Sequence, residues 1–150
     1  MDNVFVRIDD RLVHGQVLIK WVKYLQCTEL LIIDDSVYND PILTSVLKIS
    51  YPNNIGLGIY DVSTGIQKLR SIGLGKVLVL FKDLITFDRV QDAFNINAVN
   101  IARMPFNRDK EKLCNNIFVS QDEKKILKGL VSKGMDVFIQ MVPDSEPVRF

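Results

Sequence analysis

A chain of 150 residues is about one domain's worth, and a domain of that size buries roughly 68–70% of the surface its unfolded chain exposes. Hydrophobic residues make up 47% and charged residues 25%, which excludes a disordered polar chain. Nineteen Lys and Arg against eighteen Asp and Glu leave a net charge of +1, too small a surplus for a protein whose main task is to grip nucleic acid or anionic lipid. No apolar run approaches the ~20 residues needed to cross a bilayer. Residues 1–5 hold no basic stretch ahead of an apolar one, so no secretory leader is expected. Cys27 and Cys114 are too few for a disulfide framework and too isolated for a metal site. The expectation is one cytoplasmic domain over residues 1–150, without metal or organic cofactor.

Strand and helix patterns alternate along the chain. Residues 4–8 are a β-branched and aromatic run closed by Asp9-Asp10. Between Gly15 and Leu25 the apolar residues Val17, Leu18, Trp21, Val22 and Leu25 recur at helical spacing, which predicts a helix with one buried face. A second apolar run, 30–33, stops at Asp34-Asp35-Ser36. Asp40 before Pro41 reads as an N-cap followed by an N1 proline, opening a helix lined by Ile42, Leu43, Val46, Leu47 and Ile49. Tyr51-Pro52-Asn53-Asn54 is expected to end it.

The third strand, 56–60, carries two glycines, and a helix is expected from Ser63 or Thr64 to near Ser71. Residues 76–81 hold the strongest strand pattern, Val-Leu-Val-Leu-Phe, whose unbroken apolar character suggests burial on both faces of a parallel sheet. A helix through Asp88 and Phe94, a short strand at 98–101, a loop near Met104-Pro105 and a strand at 116–119 follow. Ser120 with Glu123 three residues on matches a capping box for a helix to Ser132, and 137–142 reads as the last strand. This order predicts an α/β domain with an open, mostly parallel twisted sheet of about seven strands and helices on both faces. Eight βα units closed into a barrel usually need about 250 residues.

Ligands in open α/β sheets sit beyond the carboxyl ends of the strands. The residues there are Asp9, Asp10, Arg11 and His14 after the first strand, Asp34 and Asp35 after the second, Asp61 after the third, Lys82 and Asp83 after the fourth, and Arg103 after the fifth. Two chemistries fit this edge. His14, the sole histidine, precedes Gly15 and Gln16 at the start of a helix, where backbone can approach a ligand and free N–H groups attract anions. A neutral imidazole there can attack phosphorus, with Arg11 on the equatorial oxygens and Asp9 orienting either group. Nearness of Arg11 and of the helix N-terminus is expected to disfavour the imidazolium. A plain surface or capping histidine fits the same pattern. Alternatively, Asp34 or Asp35 with Mg²⁺ and Lys82 would make a receiver-like phosphoaspartate switch, against which stands the ordinary use of Asp in caps and turns.

Other signals point to no site. Gly73-Leu-Gly75 lacks the lysine and hydroxyl of a phosphate loop, Gly56-Leu-Gly58 lacks the third glycine of a dinucleotide site, and no serine lies in a Gly-x-Ser-x-Gly elbow. Trp21 is expected in the core, or at a partner contact if exposed. Lys110-Glu111-Lys112 and Lys124-Lys125 read as solvated faces.

The segment Arg7-Ile-Asp-Asp-Arg-Leu-Val-His-Gly-Gln-Val17 closely resembles the active-site signature of the IIB components of the mannose/fructose/sorbose family of bacterial sugar phosphotransferase systems. Ile33-Asp34-Asp35, Asn39-Asp40-Pro41, Leu80-Phe81-Lys82 and Gln140-Met-Val-Pro143 extend the resemblance along the chain. It implies a phosphoryl carrier: a phosphohistidine on a IIA partner donates to His14, at Nδ1, and His14 passes the group to a sugar entering through the membrane components IIC and IID. It maps the motif arginine onto Arg11 and the acidic residue onto Asp9, and it implies a cytoplasmic protein peripherally associated with the membrane transporter. Arg11, Lys20, Lys23 and Lys82 would give a positive rim for acidic partners.

Two departures stand out. Asn100-Ile-Ala-Arg-Met104 has Arg103 where many members carry glycine, and Asp61 stands where many carry serine. Asp61 and Arg103 are therefore expected to pair across the site. A third reading, a regulatory interaction protein that keeps the fold without efficient transfer, follows from the same departures.

Overall fold

The computed structural model describes residues 3–51 and 55–150. Pro52, Asn53 and Asn54, expected to end a helix, lie outside the described residues. Strands β1 (Val4–Asp9), β2 (Glu29–Ile33), β3 (Gly56–Tyr60), β4 (Val77–Phe81), β5 (Ala98–Arg103), β8 (Asp136–Ile139) and β9 (Val148–Arg149) form one sheet in the order β3-β2-β4-β1-β5-β8-β9. All neighbours in it run parallel except the last pair, β8 and β9. The fold is thus the expected open α/β sheet, mixed at one edge. β4, between β2 and β1, is buried along its whole length, which explains its unbroken apolar sequence.

Helices α4 (Val62–Arg70), α5 (Leu84–Gln91) and α6 (Gln121–Ser132) pack on one face, against Val6, Ile8, Val79, Phe81, Val99 and Ile101. Helices α1 (Gly15–Leu25), α2 (Asp35–Tyr38) and α3 (Pro41–Ile49) cover the other, against Leu30, Ile32, Leu78 and Leu80. The two residue sets alternate along each strand because successive side chains leave a strand on opposite faces. Five helices start on a side-chain cap: Asp34, Asp40, Asp61 and Asp83, and Ser120 in the expected capping box with Glu123. Each oxygen satisfies a backbone N–H that the helix itself leaves free.

The structure differs from the sequence expectation in several places: α5 ends at Gln91, short of Phe94, and β5 runs on to Arg103. α4 begins at Val62 rather than Ser63 or Thr64, because Asp61 and not a hydroxyl residue caps it. The strand expected at 116–119 is β7 (Ile117–Val119), which pairs antiparallel with β6 (Glu111–Cys114) in a separate hairpin. In the run Lys110-Glu111-Lys112, Glu111 and Lys112 are exposed as expected, though in a strand, while Lys110 is half-buried with Nζ 3.0 Å from Glu123 Oε1. The helical turn α2 follows Asp34 directly. The last expected strand stops at Ile139, freeing Gln140 and Met141 for the contacts described below, and β9 closes the sheet edge.

Candidate active site

β1 ends in Asp9, whose side chain is fully buried. A buried carboxylate needs compensating donors, and arginines supply them. Arg11 binds it with two side-chain contacts, Nε to Oδ1 at 3.0 Å and Nη2 to Oδ2 at 2.9 Å, while the Arg11 backbone N–H donates to Oδ1 at 3.0 Å. Arg7, also buried, lies with Nη2 3.9 Å from Oδ2. Burial pushes the Arg7 guanidinium down to about 10, with Asp9 opposing that shift, so it stays cationic at neutral pH. The hydrogen bond to Asp9 holds Arg11 above its ordinary range.

The loop after β1 turns back on itself. Leu12 N–H donates to the Asp9 carbonyl at 3.1 Å, and Leu12 takes a left-handed conformation with φ 57°. Leu12 and Val13 bury their side chains in the α1 face of the core. Those anchors hold the half-exposed Arg11 and His14 in place. His14 is the N-cap residue of α1, but its ring caps nothing, and α1 has no acid in its first turn. The N–H groups at the start of this helix are therefore left for a ligand, at the positive end of the helix dipole. Gly15 stands at φ +41° with open space around it, and Gln16 is exposed; the left-handed backbone, not crowding, favours glycine there.

The His14 ring lies between two acceptors. Nδ1 is 3.0 Å from the Leu12 carbonyl oxygen, and Nε2 is 3.4 Å from Asp9 Oδ2. A neutral ring has one N–H and can donate to only one of them. The geometry turns the Arg11 fork onto Asp9 rather than onto the ring. It also places Nδ1, the atom implied by the resemblance, against a carbonyl, so attack from Nδ1 requires that contact to open.

Asp10 lies beside this cluster, with Oδ1 3.2 Å from Arg103 Nε. Among the described residues, buried side-chain polar atoms without a hydrogen bond are Arg7 Nε, Asp10 Oδ1, His14 Nε2 and Tyr51 OH. The first three belong to this one loop and strand end, where Asp10 Oδ1 and His14 Nε2 have ion-pair neighbours but no aligned hydrogen bond.

The other strand-end residues fall elsewhere. Asp34 is buried and spends Oδ1 on Val37 N–H (2.9 Å) and Ser36 Oγ (2.7 Å). Asp35 accepts from Val62 N–H at 2.8 Å and pairs with Arg89 at 3.5 Å. These roles are caps and clamps, and among the described residues no group of three or more His, Cys, Asp or Glu is placed to hold a metal ion. Lys82 is exposed. The expected Asp61–Arg103 pair is not formed. Four strand steps separate β3 from β5 in the sheet order, about 19 Å at the usual strand spacing; Asp61 caps α4 and Arg103 pairs with Asp10.

The chain from residue 3 to residue 150 matches the family profile of the PTS system sorbose subfamily IIB component. The chain belongs to this family. It is a phosphoryl carrier of a sugar phosphotransferase system, a phosphohistidine-dependent transferase. It is 26% identical over 152 residues to the N-acetylgalactosamine-specific phosphotransferase enzyme IIB component 2 of Escherichia coli, covering 98% of this chain and 95% of that protein. The crystal structure of manxB from Thermoanaerobacter tengcongensis superposes with a TM-score of 0.88 at 30% identity, covering 97% of this chain and 91% of the other. The N-acetylgalactosamine-specific IIB component 1 of Escherichia coli superposes with a TM-score of 0.92 at 25% identity, covering 99% of both chains.

Sequence reasoning missed part of the support of this IIB site. Arg7 donates through Nη1 to the Gln140 carbonyl (3.1 Å) and through Nη2 to the Met141 carbonyl (3.2 Å), with its guanidinium 5.3 Å from the Trp21 ring centroid. Trp21 Nε1 donates to the same Met141 oxygen at 2.8 Å. Thus β1, α1 and the segment after β8 meet behind Asp9. The available signal was Arg7 itself: a charged residue inside an apolar strand run needs a partner when buried.

Proposed function

We propose that His14 is the residue on which this IIB component carries its phosphoryl group. The observation that supports this best is the coincidence of the sole imidazole with the one helix start lacking a side-chain cap among the described residues. Asp9 and Arg11 are the positioning pair: Asp9 faces both the ring and the guanidinium. Asp10, Gly15 and Gln16 complete the loop that receives the phosphoryl oxygens. Asp34, Asp35 and Asp61 serve as caps and clamps rather than as a rim of the site.

The donor is a phosphohistidine of a IIA protein. Its P–N bond breaks as a P–N bond to His14 forms, with the phosphoryl charge held by Arg11 and the α1 N–H groups. In the second step that bond breaks and a P–O bond to a sugar hydroxyl forms, the hydroxyl proton leaving to the freed imidazole or to solvent. The sugar enters through the membrane components IIC and IID. Relatives named for N-acetylgalactosamine, mannose and fructose support a hexose or an N-acetylated hexosamine as the substrate class. Residues 1–150 act as one IIB domain in the cytoplasm, docking at the membrane transporter. In keeping with that placement, no helix among the described residues is long and apolar enough to cross a membrane.

The test is intact-mass analysis after incubation with a phosphorylated IIA protein. Wild type gains one phosphoryl group (~80 Da) and His14→Ala gains none, as expected for transfer to a single positioned nucleophile. Uptake surviving in His14→Ala would move the acceptor to another residue. Binding to IIA with no uptake in wild type would favour the regulatory reading.

A further inference from the structure

β5 does not run in even register past β1. Arg7 pairs with Asn100 and Ile8 with Ile101, but Asp9 pairs with Arg103, so the strand carries an irregularity around Ala102. A bulge of this kind re-aims the residue that follows it, and bulges are common beside active sites. Here it sets Arg103 on the strand position next to Asp9, the carboxylate that lies 3.4 Å from His14 Nε2.

Asp10 then holds the Arg103 side chain in an ion pair at its inner nitrogen, Nε to Oδ1 at 3.2 Å, without hydrogen-bond alignment. Among the described residues no acceptor engages either Nη of Arg103, and the side chain is 39% exposed. Arg11 is the reverse case, with Nε and Nη2 both spent on Asp9. Arg7 is spent on Asp9 and two carbonyls. Among the described residues Arg103 is therefore the guanidinium at this site with both Nη groups unengaged, whereas Arg11 keeps Nη1 alone, and such an edge matches phosphoryl oxygens.

Charge points the same way. Arg7, Arg11 and Arg103 against Asp9 and Asp10 leave a formal +1 around a neutral His14. A phosphoryl group brings about −1.5 to −2, and without Arg103 it would enter a site of no net charge with a carboxylate, Asp10, unpaired beside it. We propose that Arg103 is a phosphoryl-contacting residue of this IIB component, using its Nη edge to hold the oxygens of the group carried on His14 while Asp10 anchors its Nε. This rests on His14 being the acceptor.

The experiment loads the protein with potassium phosphoramidate, a chemical donor that needs no partner, and follows the phosphohistidine ³¹P resonance as a function of pH. Wild type, Arg103→Gln, Arg103→Lys and His14→Ala are compared, with circular dichroism confirming the fold. Removing a cation in contact with the phosphoryl group raises the pH at which it gains its second charge, by about one unit for Arg103→Gln. Arg103→Lys falls between Gln and wild type, since lysine restores the charge without the fork. A residue with only a structural role would not move this titration. Superimposed wild-type and Arg103→Gln curves would overturn the Arg103 contact and leave the carrier site standing. A ³¹P signal that survives in His14→Ala unchanged would overturn both.

Discussion

Arg11 and Asp9 are two residues apart in sequence, yet they make a two-pronged side-chain pair, Nε to Oδ1 at 3.0 Å and Nη2 to Oδ2 at 2.9 Å, around a carboxylate with no solvent exposure. The loop between them closes because Leu12 N–H reaches back to the Asp9 carbonyl. Asp9 therefore holds the loop shape, the Arg11 fork and the His14 ring together. Asp9→Asn keeps the volume but removes the charge that Arg7 and Arg11 share. Breaking a buried ion pair from one side costs about 3 kcal/mol, to be read from a urea denaturation midpoint. Phosphoryl uptake should fall further than that stability loss accounts for, measured at a temperature where the variant is still folded.

Trp21 tests the coupling between α1 and the segment after β8. Trp21→Phe keeps a ring under Arg7 but loses the bond from Nε1 to the Met141 carbonyl, 2.8 Å long in this structure. The carbonyl still accepts from Arg7, so the loss should be that of one hydrogen bond plus the indole volume given up at a buried position, about 2 kcal/mol together. Chemical denaturation monitored by circular dichroism reads it. A loss of several kcal/mol would mean that Arg7 had also shifted.

Asp61 separates capping from chemistry. Its carboxylate accepts from Thr64 N–H at 2.8 Å, and that bond to the backbone holds its ionisation below the ordinary Asp range. Because the folded value lies below the unfolded one, the stabilisation is present above the unfolded Asp range and is lost as pH falls through the folded value. Asp61→Ala should lower Tm at neutral pH and converge with wild type in acid. Phosphoryl uptake should be unchanged, since Asp61 lies four strand steps from β5 and three from β1.

Cys27 is buried, and burial pushes its thiol up to about 11. At neutral pH it should resist an aromatic disulfide reagent until the protein unfolds, while the partly exposed Cys114, raised in the same direction, reacts slowly in the native state. Stability from keeping Cys27 protonated is complete below the ordinary thiol range and declines as pH rises from there toward 11. Two-step labelling, native then in denaturant, checks the order of reaction.

Local features were legible in the sequence because they depend on neighbours along the chain. The apolar run ending in Phe81 announced a strand buried on both faces, and Asp40-Pro41 and Ser120 with Glu123 marked helix starts through contacts spanning three residues or fewer. The loop from Asp9 to His14 is local in the same sense, so its candidate residues appear together in sequence and in space. Tertiary structure decided the rest. Asp61 and Arg103 look alike as strand-end charges, but the order β3-β2-β4-β1-β5 puts them at opposite ends of that run and gives Arg103 to Asp10. Arg7 finds its partners at Gln140 and Met141, 133 and 134 residues away. Side-chain periodicity records which face of an element is buried, whereas strand order and register bring distant charges together, and a register irregularity of a single residue decides that Arg103, not Ala102, stands beside Asp9.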